Sequence, residues 1–226
     1  MRASNFKRKY KFLKILTEKQ FQRREKILST ARKLIEKEGY QGVTMRDLAR
    51  KSNVTPKTLY DQFGSKDELL LIAMKERFRH TYEAITAAKI QSGFDKLFFV
   101  LDTVIEISAK NLNFARGIAA LKASDQRDLV EIRKSTYSQA LSQIRDEGDF
   151  VDWVDMNMTL DSLYRVVSCL YFSWFSVASA TTEFDFEELA DLLKLHSCLV
   201  LSPFTKGNTQ SKAMKFIEAS AKNYSN

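Results

Sequence analysis

The sequence of 226 residues contains few residues of the types that build disulfide-rich, loop-rich or collagen-like proteins. There are only two cysteines, two prolines and seven glycines. Cys169 and Cys198 form no Cys-x-x-Cys pair and lie in apolar segments, so the sequence excludes a disulfide framework and predicts reduced core thiols. Because 44% of the residues are hydrophobic and 12% are aromatic, the composition favours an all-α protein with a sizeable core.

Patterns that carry catalytic or metal chemistry are also scarce. The two histidines, His80 and His196, are not at metal-ligand spacing from a cysteine or carboxylate cluster. The sequence contains no nucleophile elbow and no glycine-rich phosphate loop. It therefore predicts no enzymatic activity, no cofactor and no metal site.

Long apolar runs are missing as well. The most apolar segment, residues 166–180, is shorter than the roughly 20 residues that a membrane-spanning helix needs. The first 20 residues are basic, but no apolar run among them exceeds two residues, so they do not predict a secretory signal peptide. We expect a cytoplasmic protein that does not bind membranes. The alternative is a basic helical protein that binds membrane surfaces through its N-terminal arm.

The net charge of +8 is divided unevenly along the chain. Residues 1–80 contain 21 Lys and Arg against 9 Asp and Glu, whereas residues 81–226 contain 15 against 19. A basic N-terminal part indicates a surface that meets phosphate. Residues 1–20 form a basic arm with seven cations: Arg2, Lys7, Arg8, Lys9, Lys11, Lys14 and Lys19. The arm could follow a DNA backbone or minor groove, or it could be a solvated end.

Start and stop signals after the arm predict short helices. Apolar residues recur at helical spacing over residues 21–38, and Gly39 can take the left-handed conformation that ends a helix. Thr44 and Asp47 form a capping-box pattern that starts a second helix over residues 45–51. Only three residues then precede the next start signal, and the middle one, Asn53, tolerates positive φ. This spacing predicts a helix-turn-helix.

The third helix has the features of a recognition helix. Thr55 is its predicted N-cap, and Pro56 takes the first helical position, where a missing N–H costs nothing. Leu59 faces inward, which leaves the polar side chains of the opening turn facing outward, as reading of a DNA groove requires. Ser65 and Glu68 then form a second capping box, which places Lys66 beside the start of a fourth helix, where a phosphate could bind.

Residues 24–70 closely resemble the N-terminal DNA-binding domain of the tetracycline-repressor-like (TetR/AcrR) family of bacterial transcriptional regulators. The residues that carry the resemblance are Glu38-Gly39-Tyr40, Thr44, Asp47-Leu48-Ala49, Thr58-Leu59-Tyr60, Phe63 and Ser65-Lys66. There are two departures from the family pattern. Asn53 replaces the usual turn glycine, and Gln62 stands where a histidine is common.

The resemblance implies an all-α protein with a three-helix DNA-binding domain over residues 21–65 and a larger helical ligand-binding and dimerisation domain over residues 66–226. It implies a nucleoid-associated homodimer that binds a palindromic operator, most often as a repressor, and is released by a small apolar or aromatic ligand. Helix four would couple the two domains. A DNA-binding protein of the same fold that acts through a protein partner, without an inducer, is the alternative.

The predicted site residues fall into three groups. Those expected to contact DNA are Thr55, Lys57 and Thr58 at the bases, Thr44, Arg46, Tyr60 and Lys66 at the phosphates, and Pro56 in the same turn as the base-reading residues. Those expected to line a ligand pocket are Phe98, Phe99, Asp102, Phe114, Arg116, Tyr137, Tyr171, Trp174 and Phe175. Those expected at a dimer interface, on two apolar helices predicted over residues 158–180 and 186–201, are Val167, Tyr171, Trp174, Leu189, Leu192, Leu193, His196 and Leu199.

Overall fold

The structure is a computed structural model that describes residues 17–119, 127–177 and 184–223. Within these ranges the chain is helical and contains no strand, which confirms the predicted all-α class. The α-helices are α1 (Glu18–Gly42), α2 (Met45–Ser52), α3 (Pro56–Phe63), α4 (Lys66–Ala87), α5 (Gly93–Lys110), α6 (Leu112–Ala119), α7 (Arg127–Asp146), α8 (Met156–Val177), α9 (Phe186–Leu201) and α10 (Gly207–Asn223). A 3₁₀ turn, Ser202–Phe204, joins α9 to the segment before α10.

The chain forms two compact units, Met1–Ala73 and Met74–Asn226. The division lies later than the predicted boundary after residue 65. Leu69, Leu70 and Ala73 in the first part of α4 are fully buried, so this part of the helix belongs to the apolar interior and is not a linker. Helix α4 therefore contributes residues to both units.

The first unit is built on α1, α2 and α3, with α2 packed against both neighbours. Each helix buries one apolar stripe, as the spacing predicted. The buried residues of the three helices are Ile27, Leu28, Ala31, Leu34, Ile35, Met45, Leu48, Ala49, Ser52, Leu59 and Phe63. Short helices of this kind obtain most of their stability from such packing, because isolated helices of this length are marginal in water.

Helix α1 differs from its prediction at both ends. It begins at Glu18, where Thr17 and Gln20 form a capping box, so Lys19 of the predicted arm is helical. The other basic residues of the arm lie outside the described residues. Gly39 has φ 72° and ψ 166° and interrupts the helix, as its positive φ requires a residue without Cβ. Helical turns nevertheless continue to Gly42.

The second unit has a large core in which α5 packs on α7 and α9, and α9 packs on α8. The approach of α5 to α7 is close at its start. A Cβ on Gly93 would lie 2.5 Å from the backbone nitrogen of Ile144 and 2.6 Å from the carbonyl oxygen of Ala140. Gly93 therefore permits a helix contact that any other residue would push apart.

The tail after Pro203, whose role the sequence left open, folds into α10. Ala213 is buried beside Phe94 and Cys198, with Phe216 and Ile217 packed against them. The Asp149 carboxylate accepts a hydrogen bond from the backbone N–H of Thr209 at 2.7 Å, which caps the helix start. Helix α10 is thus an integral part of the second unit.

None of the helices in the described ranges is long and apolar enough to cross a membrane. Among the same residues, no group of three or more His, Cys, Asp or Glu side chains is arranged to hold a metal ion.

Candidate nucleic-acid interface and ligand cavity

The turn between α2 and α3 has the geometry that the spacing predicted. Asn53 adopts the left-handed conformation, with φ 57° and ψ 49°. The N–H of Val54 donates to the carbonyl oxygen of Ala49 at 3.0 Å, which satisfies one of the free carbonyls at the end of α2. Asparagine is one of the few residues other than glycine that adopt this conformation at modest cost, so it can replace the glycine that is usual in the resembled family.

Helix α2 begins at a capped and charged N-terminus. Thr44 Oγ1 accepts from the backbone N–H of Asp47 at 3.1 Å and donates to Asp47 Oδ2 at 2.6 Å. This hydrogen bond, aided by Arg50, holds the pKa of the Asp47 carboxyl below its ordinary value. The remaining N–H groups of the first turn have no helical partner and can bind an anion. Thr44 and Arg46 are exposed at this end of α2.

The opening turn of α3 is exposed and held by its cap. Thr55 Oγ1 accepts from the backbone N–H of Thr58 at 3.2 Å, and Pro56 occupies the first turn, as predicted. The side chain of Lys57 is exposed and Thr58 is half-buried. Leu59 is fully buried on the opposite side. Burial of Leu59 therefore holds the polar first turn of α3 at the surface.

Two aromatic contacts brace the end of α3 and the start of α4. The Arg24 guanidinium lies 4.6 Å from the ring centre of Phe63, whose side chain is buried. Lys66 Nζ lies 5.9 Å from the ring centre of Tyr40, and the hydroxyl of Tyr40 donates to Asp67 Oδ1 at 3.0 Å. The sequence identified Tyr40 only as part of a motif, whereas in the structure it positions Lys66.

The predicted DNA-contacting residues all lie outside the buried core. Thr44, Arg46, Thr55, Pro56, Lys57 and Tyr60 are exposed, and Thr58 and Lys66 are half-buried. Each belongs to the N-cap, first turns or start of α2, α3 or α4. These surface positions leave the side chains free to meet a nucleic acid.

A separate cavity of about 50 Å³ lies in the second unit. Residues of α4, α5, α6, α7, α8 and α9 line it: Phe78, Tyr82, Leu101, Val104, Ile107, Ser108, Phe114, Ala115, Ile118, Arg133, Tyr137, Val167, Ser168, Tyr171 and Leu193. The wall is mostly apolar with a few convergent polar groups, which is typical of small-molecule sites.

The polar groups of the cavity are tyrosines, serines and one arginine. Ser108 Oγ donates to the carbonyl oxygen of Val104 at 2.7 Å. Because that uses the only proton of Ser108, the 2.8 Å contact between Ser108 and Tyr171 has the Tyr171 hydroxyl as its donor. The buried hydroxyl of Tyr82 has no hydrogen-bond partner among the described residues. Burial raises the pKa of Tyr82, Tyr137 and Tyr171 above the ordinary value, so these hydroxyls stay protonated.

Three of the nine residues predicted for a ligand pocket, Phe114, Tyr137 and Tyr171, line this cavity. The other six do not. Phe98 packs against Phe216 of α10, with the ring centres 5.0 Å apart, while Phe99, Trp174 and Phe175 pack in the core. Asp102 forms an ion pair with Lys194, and the Arg116 guanidinium lies 4.8 Å from the ring centre of Phe184. These partners are distant in the sequence, and α10 had no predicted role.

Three of the residues predicted for the dimer interface are instead buried inside the single chain. Val167 is 3% exposed, Leu193 is 1% exposed and Leu189 is fully buried. They face inward because α8 packs on α9 and α7, and α9 packs on α5. Tyr171 lines the cavity, and Trp174, Leu192 and His196 are half-buried. Leu199, which is 46% exposed, remains on the surface together with Met158, which is 44% exposed.

Residues 27–73 match the model of a family described as bacterial regulatory proteins, tetR family. The chain belongs to this family. The matched residues begin in α1 and include all of α2, α3 and the turn between them. The tetR match therefore covers the candidate DNA-binding surface. That surface consists of the capped N-termini of α2 and α3 and the exposed polar side chains beside them.

Two curated relatives of the tetR-family chain are transcriptional regulators. The chain is 37% identical over 62 residues to the HTH-type transcriptional regulator HbdR of Aromatoleum sp. (strain CIB), and the match covers 27% of each protein. Only about a quarter of that relative is therefore matched. The chain is 23% identical over 164 residues to IcaR of Staphylococcus aureus (strain Newman), described as a negative transcriptional regulator of the biofilm operon icaADBC. That match covers 71% of this chain and 87% of IcaR.

A solved structure shares the fold of the tetR-family chain over most of its length. It is RolR in complex with resorcinol, with a TM-score of 0.66 and 15% sequence identity. The superposition covers 88% of this chain and 94% of RolR. At this identity the likeness concerns the fold.

Proposed function

We propose that the protein is a transcriptional regulator that binds duplex DNA through α2 and α3. The observation that carries this proposal is the opening turn of α3, which is capped by Thr55, anchored by buried Leu59 and exposed at Lys57. A recognition helix reads base edges with the residues of its N-terminal turn while the preceding helix crosses the backbone. The similarity to HbdR and IcaR, both described as regulators of transcription, supports the same function.

The regulator acts as a repressor and binds as a homodimer in this proposal. The similarity to IcaR, which is described as a negative transcriptional regulator, supports repression as the direction of regulation. A two-fold symmetric pair of recognition helices binds two inverted half-sites whose centres are about 34 to 36 Å apart. The operator is therefore a palindrome. Base contacts from Lys57 and Thr58 set its sequence, and phosphate contacts from Arg46 and Lys66 set its register.

The homodimer forms through the exposed faces of α8 and α9. Met158 on α8 and Leu199 on α9 are large apolar side chains left on the surface, and Leu192 and Leu195 are half-buried on α9. A two-fold contact places the same patch of each copy against the other. This assignment replaces the inward-facing Val167, Leu189 and Leu193 with residues that a second copy can reach.

A small ligand bound in the cavity releases the repressor from DNA. The cavity wall is largely apolar, and RolR, a protein of the same fold, has been crystallised with resorcinol. Ligand binding shifts a conformational equilibrium only through its preference for one state. Helix α4 starts at Lys66 and carries Phe78 and Tyr82 of the cavity wall, so it is the element through which such a preference reaches the DNA-binding residues.

Binding of the purified chain to a pool of random-sequence duplex DNA, followed by fluorescence anisotropy as salt is raised, tests the proposal. We expect tight binding at low ionic strength and a linear fall of log K with log salt, because each neutralised phosphate contributes about −0.9 to the slope. A triple variant with Lys57→Ala, Arg46→Ala and Lys66→Ala should bind DNA more weakly than the parent chain, and its salt dependence should have a shallower slope. Equal binding by the two chains would contradict the proposed surface.

A further inference from the structure

One hydroxyl group in the cavity of the second unit is buried without a hydrogen bond. Tyr82 on α4 lines this cavity and is only 4% exposed. Its hydroxyl has no hydrogen-bond partner among the described residues, although buried polar groups in proteins are nearly always hydrogen-bonded. Because burial raises the pKa of Tyr82, the hydroxyl keeps its proton and can donate it to an acceptor that enters the cavity.

A second hydroxyl in the same wall can accept a hydrogen bond. Tyr171 also lines the cavity, and its hydroxyl donates to Ser108 at 2.8 Å, because Ser108 uses its own proton on the carbonyl oxygen of Val104. A phenolic oxygen accepts as well as donates, so Tyr171 can accept from a molecule beside it. The wall therefore offers one donor and one acceptor to the same ligand.

The rest of the wall is mostly apolar and encloses little space. Leu101, Ile118 and Val167 line the cavity and are at most 3% exposed. A volume of about 50 Å³ holds about three to five water-sized groups, since one such group needs about 10 to 15 Å³. An engineered cavity that binds benzene has about 150 Å³. The cavity therefore fits a short chain and is too small for an aromatic ring.

The charged side chain of the wall, Arg133, is already engaged. Its guanidinium carbon lies 4.9 Å from the ring centre of Phe172 and 5.6 Å from that of Phe78, and Arg133 takes part in further interactions. An anionic ligand would have to compete with these partners. A cationic ligand would meet a positive charge in a wall whose described residues include no carboxylate. Because burial of an unpaired charge is costly, the cavity favours a neutral ligand.

We propose that the cavity binds a short neutral alcohol, with one hydroxyl group on an apolar chain of about two to four carbons. The hydroxyl of the ligand accepts a hydrogen bond from Tyr82 and donates one to the oxygen of Tyr171, and the chain lies against the apolar wall. Such a ligand satisfies the buried Tyr82 hydroxyl and brings no charge into the cavity. The inference rests on the proposed ligand site and specifies its chemical class and size.

Titration of the full chain with primary alcohols, followed by saturation-transfer NMR in the absence of DNA, tests this ligand class. The probes are ethanol, 1-propanol, 1-butanol and 1-hexanol. We expect the affinity to rise about fourfold with each added CH₂ up to 1-butanol and to fall for 1-hexanol, because that chain no longer fits. An affinity that still rises at 1-hexanol indicates adsorption on exposed apolar surface and overturns the inference. So does the failure of all four alcohols to bind, which would leave water as the occupant.

Three variants locate the binding to this cavity. Tyr82→Phe removes only the donor and should weaken 1-butanol binding about three- to tenfold. Tyr164→Phe is the matched control, because Tyr164 is a half-buried tyrosine of the same unit that is not among the lining residues. Ala115→Val enlarges a buried side chain of the wall and should lower the affinity for 1-butanol at least about tenfold, since the added carbons fill the space.

Each outcome with these variants decides the inference. It is wrong if Tyr82→Phe binds 1-butanol as tightly as the parent chain does, or if Tyr164→Phe weakens binding as strongly as Tyr82→Phe. If Ala115→Val does not fold, Tyr82→Phe and the dependence on chain length still test the assignment, because the first removes a single hydroxyl and the second needs no substitution.

The failure of this inference can be told apart from failure of the proposed function. Alcohol binding that depends on Tyr82 but does not release DNA supports the assigned ligand class and contradicts only the release mechanism. DNA binding by a chain that binds none of the four alcohols overturns the ligand class and leaves the regulator intact.

Discussion

The hydroxyl oxygen of Thr55 lies 3.2 Å from the backbone nitrogen of Thr58 and accepts its hydrogen bond. The same hydroxyl lies 2.9 Å from that of Thr58. These two hydrogen bonds hold the first turn of α3 in place, and the exposed side chain of Lys57 projects from this turn. The cap formed by Thr55 and Thr58 thus orients the side chain of Lys57, which is proposed to read bases and lies between them in the sequence.

The first prediction concerns that cap. Thr55→Ala should lower the free energy of unfolding of the first unit by about 0.5 to 2 kcal/mol, because one N–H of the first turn loses its acceptor. Urea unfolding followed by circular dichroism measures the change. Thr30→Ala is the control, since the Thr30 hydroxyl donates to the carbonyl oxygen of Lys26 within α1 and caps no helix. Equal destabilisation by both substitutions would show that the cap has no special role.

The second prediction separates base from phosphate contacts. Lys57→Ala should weaken binding to the preferred sequence by about 1 to 3 kcal/mol and reduce discrimination between bases. Lys66→Ala should weaken binding to all duplexes alike and make the salt slope shallower by about one unit. Competition titrations with preferred and random duplexes measure both effects. If each variant loses the same fraction of its affinity for the preferred duplex as for random duplexes, the assignment of Lys57 to the bases is wrong.

The third prediction concerns the dimer. Leu199→Glu should convert the protein to a monomer at micromolar concentration in sedimentation experiments, because a charge would replace an apolar contact that stabilises association by about 1.5 to 3 kcal/mol per side chain. Met214→Glu is the matched control on α10, with an exposed fraction of 42% against 46% for Leu199. A dimer that tolerates Leu199→Glu as well as Met214→Glu would place the interface elsewhere.

The fourth prediction concerns pH. Burial raises the pKa of Tyr82, Tyr137 and Tyr171 above the ordinary tyrosine value of about 10, so the folded state holds these protons more tightly than the unfolded state. Their contribution to stability is fully present below that value and is lost as the pH rises through and beyond it. We expect phenolate absorbance from these three groups only when the second unit unfolds at alkaline pH, and Tyr82→Phe should remove part of that late signal.

The sequence predicted the fold of the first unit well because its determinants are local. Thr44 and Thr55 cap the helices that follow them, Pro56 starts α3, and Asn53 takes the left-handed turn. Each of these assignments depends on residues within a few positions of one another. The end of α1 was less well predicted, because helical turns resume after Gly39.

The cavity could not be predicted to the same extent because distant residues form it. Phe78 and Tyr82 lie on α4, which the sequence assigned to coupling, and Arg133 lies in an amphipathic segment with no motif. Phe98 carries a strong apolar signal but packs against Phe216 of α10. Apolar periodicity indicates that a side chain is buried. It does not indicate whether that side chain lines a cavity, packs in the core or lies at an interface.

Selection of bound sequences from a library of random duplex DNA tests the central claim most directly. If the exposed turn of α3 reads bases in a two-fold pair of chains, the selected duplexes contain two inverted half-sites with centres about one helical turn apart, and Lys57→Ala relaxes the preference within each half-site. Recovery of sequences without a shared element, or failure of the protein to retain any duplex at low ionic strength, would contradict it.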